Sequence, residues 1–264
     1  MHHKQRGKRQ LVGMIHVGPL PGSPKSGPPI ARIVEQAALE ARMYEDAGFD
    51  AVIVENMHDL PYLKRLVPPT TIAAMTLVTQ AVREATPNLI CGVQILAGAN
   101  QAALAVAHLC SAAFIRCEGF VYGHLADEGW MDADAATLLR ERQSLDAKNV
   151  KIWADIQKKH AAHAVTADLE AEDWAMAAEL NGADMLVVTG KHTGRAVDIK
   201  FLQHARTATQ LPVAIGSGLD ATNLPDYLEH ADAFIIGSSV KIDGDWRLAP
   251  DPARLKTIRH LFHS

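Results

Sequence analysis

Eight short apolar runs, each strand-length and rich in valine and isoleucine, alternate along the chain with segments of helical spacing. This alternation constrains the fold more than any other feature. The runs are 11–17, 51–56, 89–96, 114–121, 151–157, 185–190, 212–218 and 233–239. Runs apolar at successive positions suit strands covered on both faces, as in a parallel sheet between helices. "IARIVEQAALEARMYEDAG", "TTIAAMTLVTQAVREA" and "LEAEDWAMAAELNG" are the clearest helical segments between them. The joints repeat as well. "AGFDAVIV", "NGADMLVV" and "HADAFII" each set a small residue and an aspartate before a strand. Gly48 and Gly182 fit the left-handed position that ends a helix. Eight strands alternating with helices predict a single-domain α/β protein, a (β/α)8 TIM barrel over 11–264 behind a basic N-terminal tail, 1–10. An open doubly wound sheet is the alternative, and no G-x-G-x-x-G follows the first strand to favour its dinucleotide-binding form.

Composition excludes several classes. Net charge is −4, which gives no general attraction to nucleic acid or to an anionic membrane. No apolar stretch approaches the roughly 20 residues of a membrane span. The basic start, "MHHKQRGKRQ", reads as neither a signal peptide nor a transit sequence. Three cysteines without a C-x-x-C pair suit a reducing compartment, so the expected location is cytoplasmic. A homo-oligomer is the assembly to expect on general grounds.

Working residues of such barrels lie at the carboxyl ends of the strands. Side-chain alternation places Arg116 and Glu118 on one face of the fourth strand and Asp155 with Gln157 on one face of the fifth. His16, Gln94 and Thr189 sit at the ends of the first, third and sixth strands, and one of Glu55 and Asn56 must face inward at the second. A single inward His or Gln is commonly only structural, and Arg116 with Glu118 could be a structural ion pair. Buried charge is costly unless paired or used, so polar residues at six strand ends point to a functional face. Glu118 and Asp155 are the candidate general acid and base, tuned by Arg116 and Lys158. Lys158 as a Schiff-base nucleophile is the minor option.

The last two strands end in Gly216-Ser217-Gly218 and Gly237-Ser238-Ser239. Glycine lets backbone approach an anion, exposed N–H groups form a nest, hydroxyls add donors and a following helix start adds its dipole. Barrels commonly bind phosphate after these two strands. The bland alternative is that the glycines only permit tight turns. Two more loops carry positive charge: "DIQKKHAAH" with Lys158, Lys159, His160 and His163, and "VTGKHTGRAVD" with Thr189, Lys191, Thr193, Gly194 and Arg195. His16, Glu55, Gln94, His160, Thr189, Lys191, Thr193 and Gly194 are therefore expected to line the substrate site. The expected partner is a small phosphorylated anion.

No resident cofactor is expected. A divalent metal on His160, His163 and Asp155 is the weaker alternative, without an H-E-x-x-H or cysteine cluster behind it. A serine-hydrolase elbow and a Walker A loop are both absent. The Pro/Gly-rich 18–29 reads as a loop of the active face, a candidate lid.

"MIHVGPLPGSP", "AGFDAVIVEN", "ADIQKKHA", "VTGKHTGRAVD", "AIGSGLDATNLPDYLEHADAFIIGSSVKIDGDW" and "DPARLKTIRHLF" resemble the BtpA/SgcQ family from about residue 11 to 262. The resemblance implies a phosphate-binding barrel. It implies less about chemistry, because one member is associated with photosystem I biogenesis and another lies among carbohydrate-uptake genes. The rival to an enzyme is thus a non-catalytic assembly or regulatory factor. Departures occur at "KKHA", where many relatives read "VKHA", and at Lys191-His192, where they carry small residues.

Overall fold

The computed structural model describes residues 8–158, 161–190 and 197–263. Eight parallel strands close into a barrel, each paired with its neighbour around the ring. They are β1 (Gln10–His16), β2 (Ala51–Glu55), β3 (Ile90–Gln94), β4 (Phe114–Cys117), β7 (Lys151–Ile156), β9 (Met185–Val188), β10 (Val213–Ile215) and β11 (Ala233–Ile236). All eight expected runs form strands, each ending short of its polar tail. A small antiparallel sheet that the sequence reading did not anticipate packs over one end. It consists of β5 (His124–Ala126), β6 (Gly129–Met131) and β8 (Ala161–Ala162).

The helices are α1 (Ile30–Asp46), α2 (Pro69–Ala85), α3 (Asn100–Leu109), α4 (Ala135–Ser144), α5 (Ala171–Leu180), α6 (Ile199–Thr207), α7 (Leu224–Tyr227) and α8 (Pro252–His263). Gly48 and Gly182 follow α1 and α5 with φ of 81° and 84°, so each helix stops where only glycine turns left at no cost.

Two apolar layers follow from strand alternation. Val52, Val54, Ile115, Cys117 and Ala154 face outward into the helix layer. Val12, Met14, Ile53, Phe114, Trp153, Val187 and Ile235 fill the barrel interior. Phe114 and Trp153 stack there with centroids 3.7 Å apart. Gly92 makes room for them, since a Cβ would lie 2.3 Å from the Phe114 ring.

The repeated joint before a strand has a physical role. The Asp50 carboxylate accepts from Leu11 N–H, Asp184 from Ile152 N–H and Asp232 from Val213 N–H, each at 2.9 Å. Each aspartate's own N–H donates back to the carbonyl of the same residue, at 2.8–2.9 Å. Lys8 pairs with Asp50, Arg142 and Lys151 with Asp184, and Arg206 with Asp232. These joints lie at the N-terminal ends of the strands, where barrels keep stabilising features.

Candidate active site

The carboxyl ends of the strands open into a cavity of about 570 Å³. His16, Glu55, Gln94, Arg116, Glu118, Asp155, Lys158, Thr189 and both Gly-Ser segments line it. Strand register explains the assembly. His16 pairs with Glu55 and Glu55 with Gln94, so three consecutive strands end in one polar row. Asn56 turns away, donating to Asp59 and accepting from Leu96 N–H.

The charged floor is organised differently from the expected Arg116–Glu118 pair. Arg116 binds Asp155, with Nε 3.2 Å from both carboxylate oxygens and Nη2 3.1 Å from Oδ1. Its Nη1 also donates to the Gly216 carbonyl at 3.3 Å. The reason is cross-strand geometry. Arg116 lies in register with Trp153, and Asp155 is two residues further along the adjacent β7, on the same face. Burial works against the Arg116 charge, but Asp155, Glu55 and Glu118 around it raise its pKa overall.

Glu118 takes Lys158 instead, at 3.2 Å, and its Oε2 also accepts from Gly98 N–H at 3.0 Å. Glu128, on the turn between β5 and β6, approaches Lys158 at 3.6 Å. Burial pulls the Lys158 pKa down, yet Glu118 and Glu128 outweigh it and leave it raised. Lys158 is therefore held as an ammonium, which argues against the Schiff-base role. Glu118 Oε1 has no hydrogen bond to a described residue.

At the glycine-serine segments the N–H groups of Ser217, Gly218, Ser238 and Ser239 donate to no described residue. Ser217 Oγ is buried and has no hydrogen-bond partner among the described residues. Gly218 has φ of 80°. Three expected details change. Gly216 is glycine because of crowding: its N–H donates to Val188 O at 2.8 Å, and a Cβ would lie 2.5 Å from Val187 Cγ1 and 2.9 Å from Arg116 Nη2. Ser239 Oγ donates to Leu219 O at 2.7 Å, not into the cavity. No long helix starts at either glycine-serine segment; α7 has four residues and Ser238–Val240 is a single 3-10 turn, so a helix dipole adds little.

Other expectations are redrawn. None of residues 18–29 lines the cavity; the β5–β6 hairpin overhangs it through Asp127 and Glu128. Gln157 leaves the strand at φ 50° and does not line the cavity, its carbonyl accepting from Thr189 Oγ1 at 3.3 Å. His163 Nε2 contacts the Lys158 carbonyl. Lys159, His160, Lys191, His192, Thr193, Gly194 and Arg195 lie outside the described residues. Among the described residues, no three His, Cys, Asp or Glu side chains converge to hold a metal ion. None of their helices is long and apolar enough to cross a membrane.

The sequence reading missed Tyr62, Trp246 and Arg65. Tyr62 and Trp246 line the cavity. The Trp246 carbonyl meets His16 Nδ1 at 2.9 Å. A carbonyl can only accept, so Nδ1 carries the proton and Nε2 faces Glu55 Oε2 at 3.8 Å. Burial and nearby carboxylates, Glu55 and Glu118 foremost, push the Tyr62 phenol well up, so it stays protonated. Arg65 fastens three loops, donating to the Gly98, Glu118, Gly119 and Asp132 carbonyls and pairing with Asp134 at 3.0 Å. The surviving clue to the hairpin is "ADEG", whose Gly129 turns at φ 94°.

Comparison with known proteins agrees with this architecture. A thiamine phosphate pyrophosphorylase from Pyrococcus furiosus superposes with a TM-score of 0.61 at 14% identity, over 97% of this chain and 95% of its own. A phosphoribosyl anthranilate isomerase from Thermus thermophilus gives 0.58 at 14%, over 96% and 98%. Identities this low establish the fold alone. Relatives by sequence are nearer. An uncharacterised Caenorhabditis elegans protein, labelled mitochondrial, is 44% identical over 96% of this chain and 93% of its own. An uncharacterised Methanocaldococcus jannaschii protein is 35% identical over 96% and 95%. The photosystem I biogenesis protein BtpA of Synechocystis is 33% identical over 93% and 85%. The BtpA family model matches residues 7–264, and with these relatives it establishes that the chain belongs to the BtpA family.

Proposed function

We propose that this chain is an enzyme acting on a small phosphorylated compound, a sugar phosphate or nucleoside-derived phosphate, by general acid/base chemistry. The observation that carries the reading is one cavity with two halves. N–H groups of Ser217, Gly218, Ser238 and Ser239 that donate to no described residue border one part, and buried, cross-paired charges form another. Among the described residues, the lining carboxylates of Glu55, Glu118, Asp127, Glu128, Asp155 and Asp220 outnumber the Arg116 and Lys158 cations. The backbone dipoles of the two glycine-serine segments are the described groups suited to phosphate, as in a nest.

Glu118 is the base, acting through Oε1 while Lys158 and Gly98 N–H hold Oε2. The Lys158 ammonium stabilises negative charge that develops beside it. Asp155 fixes the Arg116 plane at the floor of the cavity and leaves its charge in place. Isomerase, lyase and glycosidic hydrolase chemistry all fit these roles. The rival assembly-factor reading rests on the name of the Synechocystis relative.

A thermal-shift series of sugar phosphates and nucleotides against their unphosphorylated parents tests the proposal. Ligand at about 100 times its dissociation constant stabilises by about 2.7 kcal/mol. Phosphorylated members raise Tm and their parents do not; a series in which no phosphorylated member does so refutes the cradle. Once a substrate is found, Glu118→Gln retains binding and loses about 10²- to 10⁴-fold in kcat.

A further inference from the structure

The row formed by His16, Glu55 and Gln94 has no part in holding phosphate or in moving protons at Glu118, yet it sits at the cavity surface. Gln94 is 2% exposed and its amide makes no hydrogen bond with any described residue; its Oε1 is fully buried. A buried amide oxygen without a donor is destabilising. The Nε2 edge of this amide, in the cavity wall, can donate to a ligand that supplies an acceptor.

The row has a direction. His16 lies next to the cradle, since its ring would be 3.9 Å from a Cβ placed on Gly237. Glu55 and Gln94 follow on successive strands in register. Adjacent strands are about 4.8 Å apart, so Gln94 lies on the order of 10 Å from the cradle side. A carboxylate with a neutral amide beside it suits adjacent hydroxyls, the carboxylate accepting from one and the amide N–H donating to the other.

We infer that the substrate is a vicinal-diol sugar phosphate, its phosphate on the Ser217–Gly218 and Ser238–Ser239 amides and its hydroxyls read by Glu55 and Gln94. This rests on the phosphate-cradle reading above and adds the identity of the phosphorylated body. Gln94, at the far end of the row, reads the 2-hydroxyl, the member of the 2,3-diol farther from the phosphate.

Titration calorimetry with D-ribose 5-phosphate, 2-deoxy-D-ribose 5-phosphate and ethyl phosphate, an ester without hydroxyls, tests it. The ribose ester binds about tenfold or more tightly than its 2-deoxy analogue, the difference expected when a buried polar group loses its partner. Gln94→Leu abolishes that difference. Equal affinity of wild-type protein for the ribose and deoxyribose esters overturns the inference while leaving the cradle intact. Failure of all three esters to bind overturns the cradle, and the inference with it. The comparison of the two sugars needs no variant, so it decides even if Gln94→Leu does not fold.

Discussion

Lys241 is fully buried, and its ammonium lies 2.8 Å from Glu40 Oε2, itself 7% exposed by side chain. The pair ties α1 to the two 3-10 turns that follow β11, and Lys241 is the residue between those turns. Its N–H donates to the Ser238 carbonyl at 3.0 Å. At an effective dielectric constant of about 20, attraction at this distance is about 6 kcal/mol. Desolvation costs several kcal/mol for each ion, so the pair comes near to breaking even. Burial lowers the Lys241 pKa, against the opposing pull of Glu40. Lys241→Met leaves Glu40 charged and buried, with only Gln36 Nε2 donating to its other oxygen at 3.1 Å. The expected cost is about 3–5 kcal/mol. The double variant Lys241→Met, Glu40→Leu removes both charges and recovers most of that loss. Urea unfolding followed by circular dichroism, with midpoints compared at constant m, measures all three proteins. A single variant within about 1 kcal/mol of wild type, or a double variant as unstable as the single, refutes the argument that the stranded charge sets the cost.

His124 is buried, and burial, then His163 and Lys158, lowers its pKa to about 4. The unfolded chain then binds more protons between the ordinary value near 6.5 and about 4, so stability is lost as pH falls through that window. His124→Asn flattens this part of the stability–pH curve; a curve unchanged in slope rejects the assignment. The three cysteines are free and buried, and burial pushes the Cys91 thiol up to about 12. Iodoacetamide at pH 8 therefore leaves native protein essentially unmodified and gives three adducts after unfolding, whereas rapid native labelling of Cys91 contradicts its burial.

The strands were legible because they are covered on both faces, and the joints because glycine and aspartate each perform one local task. Inward residues were legible at Arg116, Glu118 and Asp155 through alternation alone. Partner choice was not. Arg116 and Glu118 are neighbours on one strand face, but Arg116 takes Asp155 on the next strand, and that depends on register that only closure of the barrel sets. Gly216 illustrates the same limit, being glycine for Val187 and Arg116, which lie far away in sequence. Tyr62, Trp246 and Arg65 come from irregular loops without periodicity, so no pattern pointed to them.

A buried parallel strand can slide by two residues along its neighbour and still present the same faces, so hydrophobic pattern alone leaves the stagger of a closed barrel undetermined. Asp50, Asp184 and Asp232 remove that freedom at the β1–β2, β7–β9 and β10–β11 seams. Each grips the N–H and the carbonyl of one residue, and a slip of about 6.6 Å would release both. They act as pawls, set at the end of the barrel away from the cavity. Loops on the working face can therefore be exchanged for others without disturbing the indexing of the strands that present Glu55, Glu118 and Asp155.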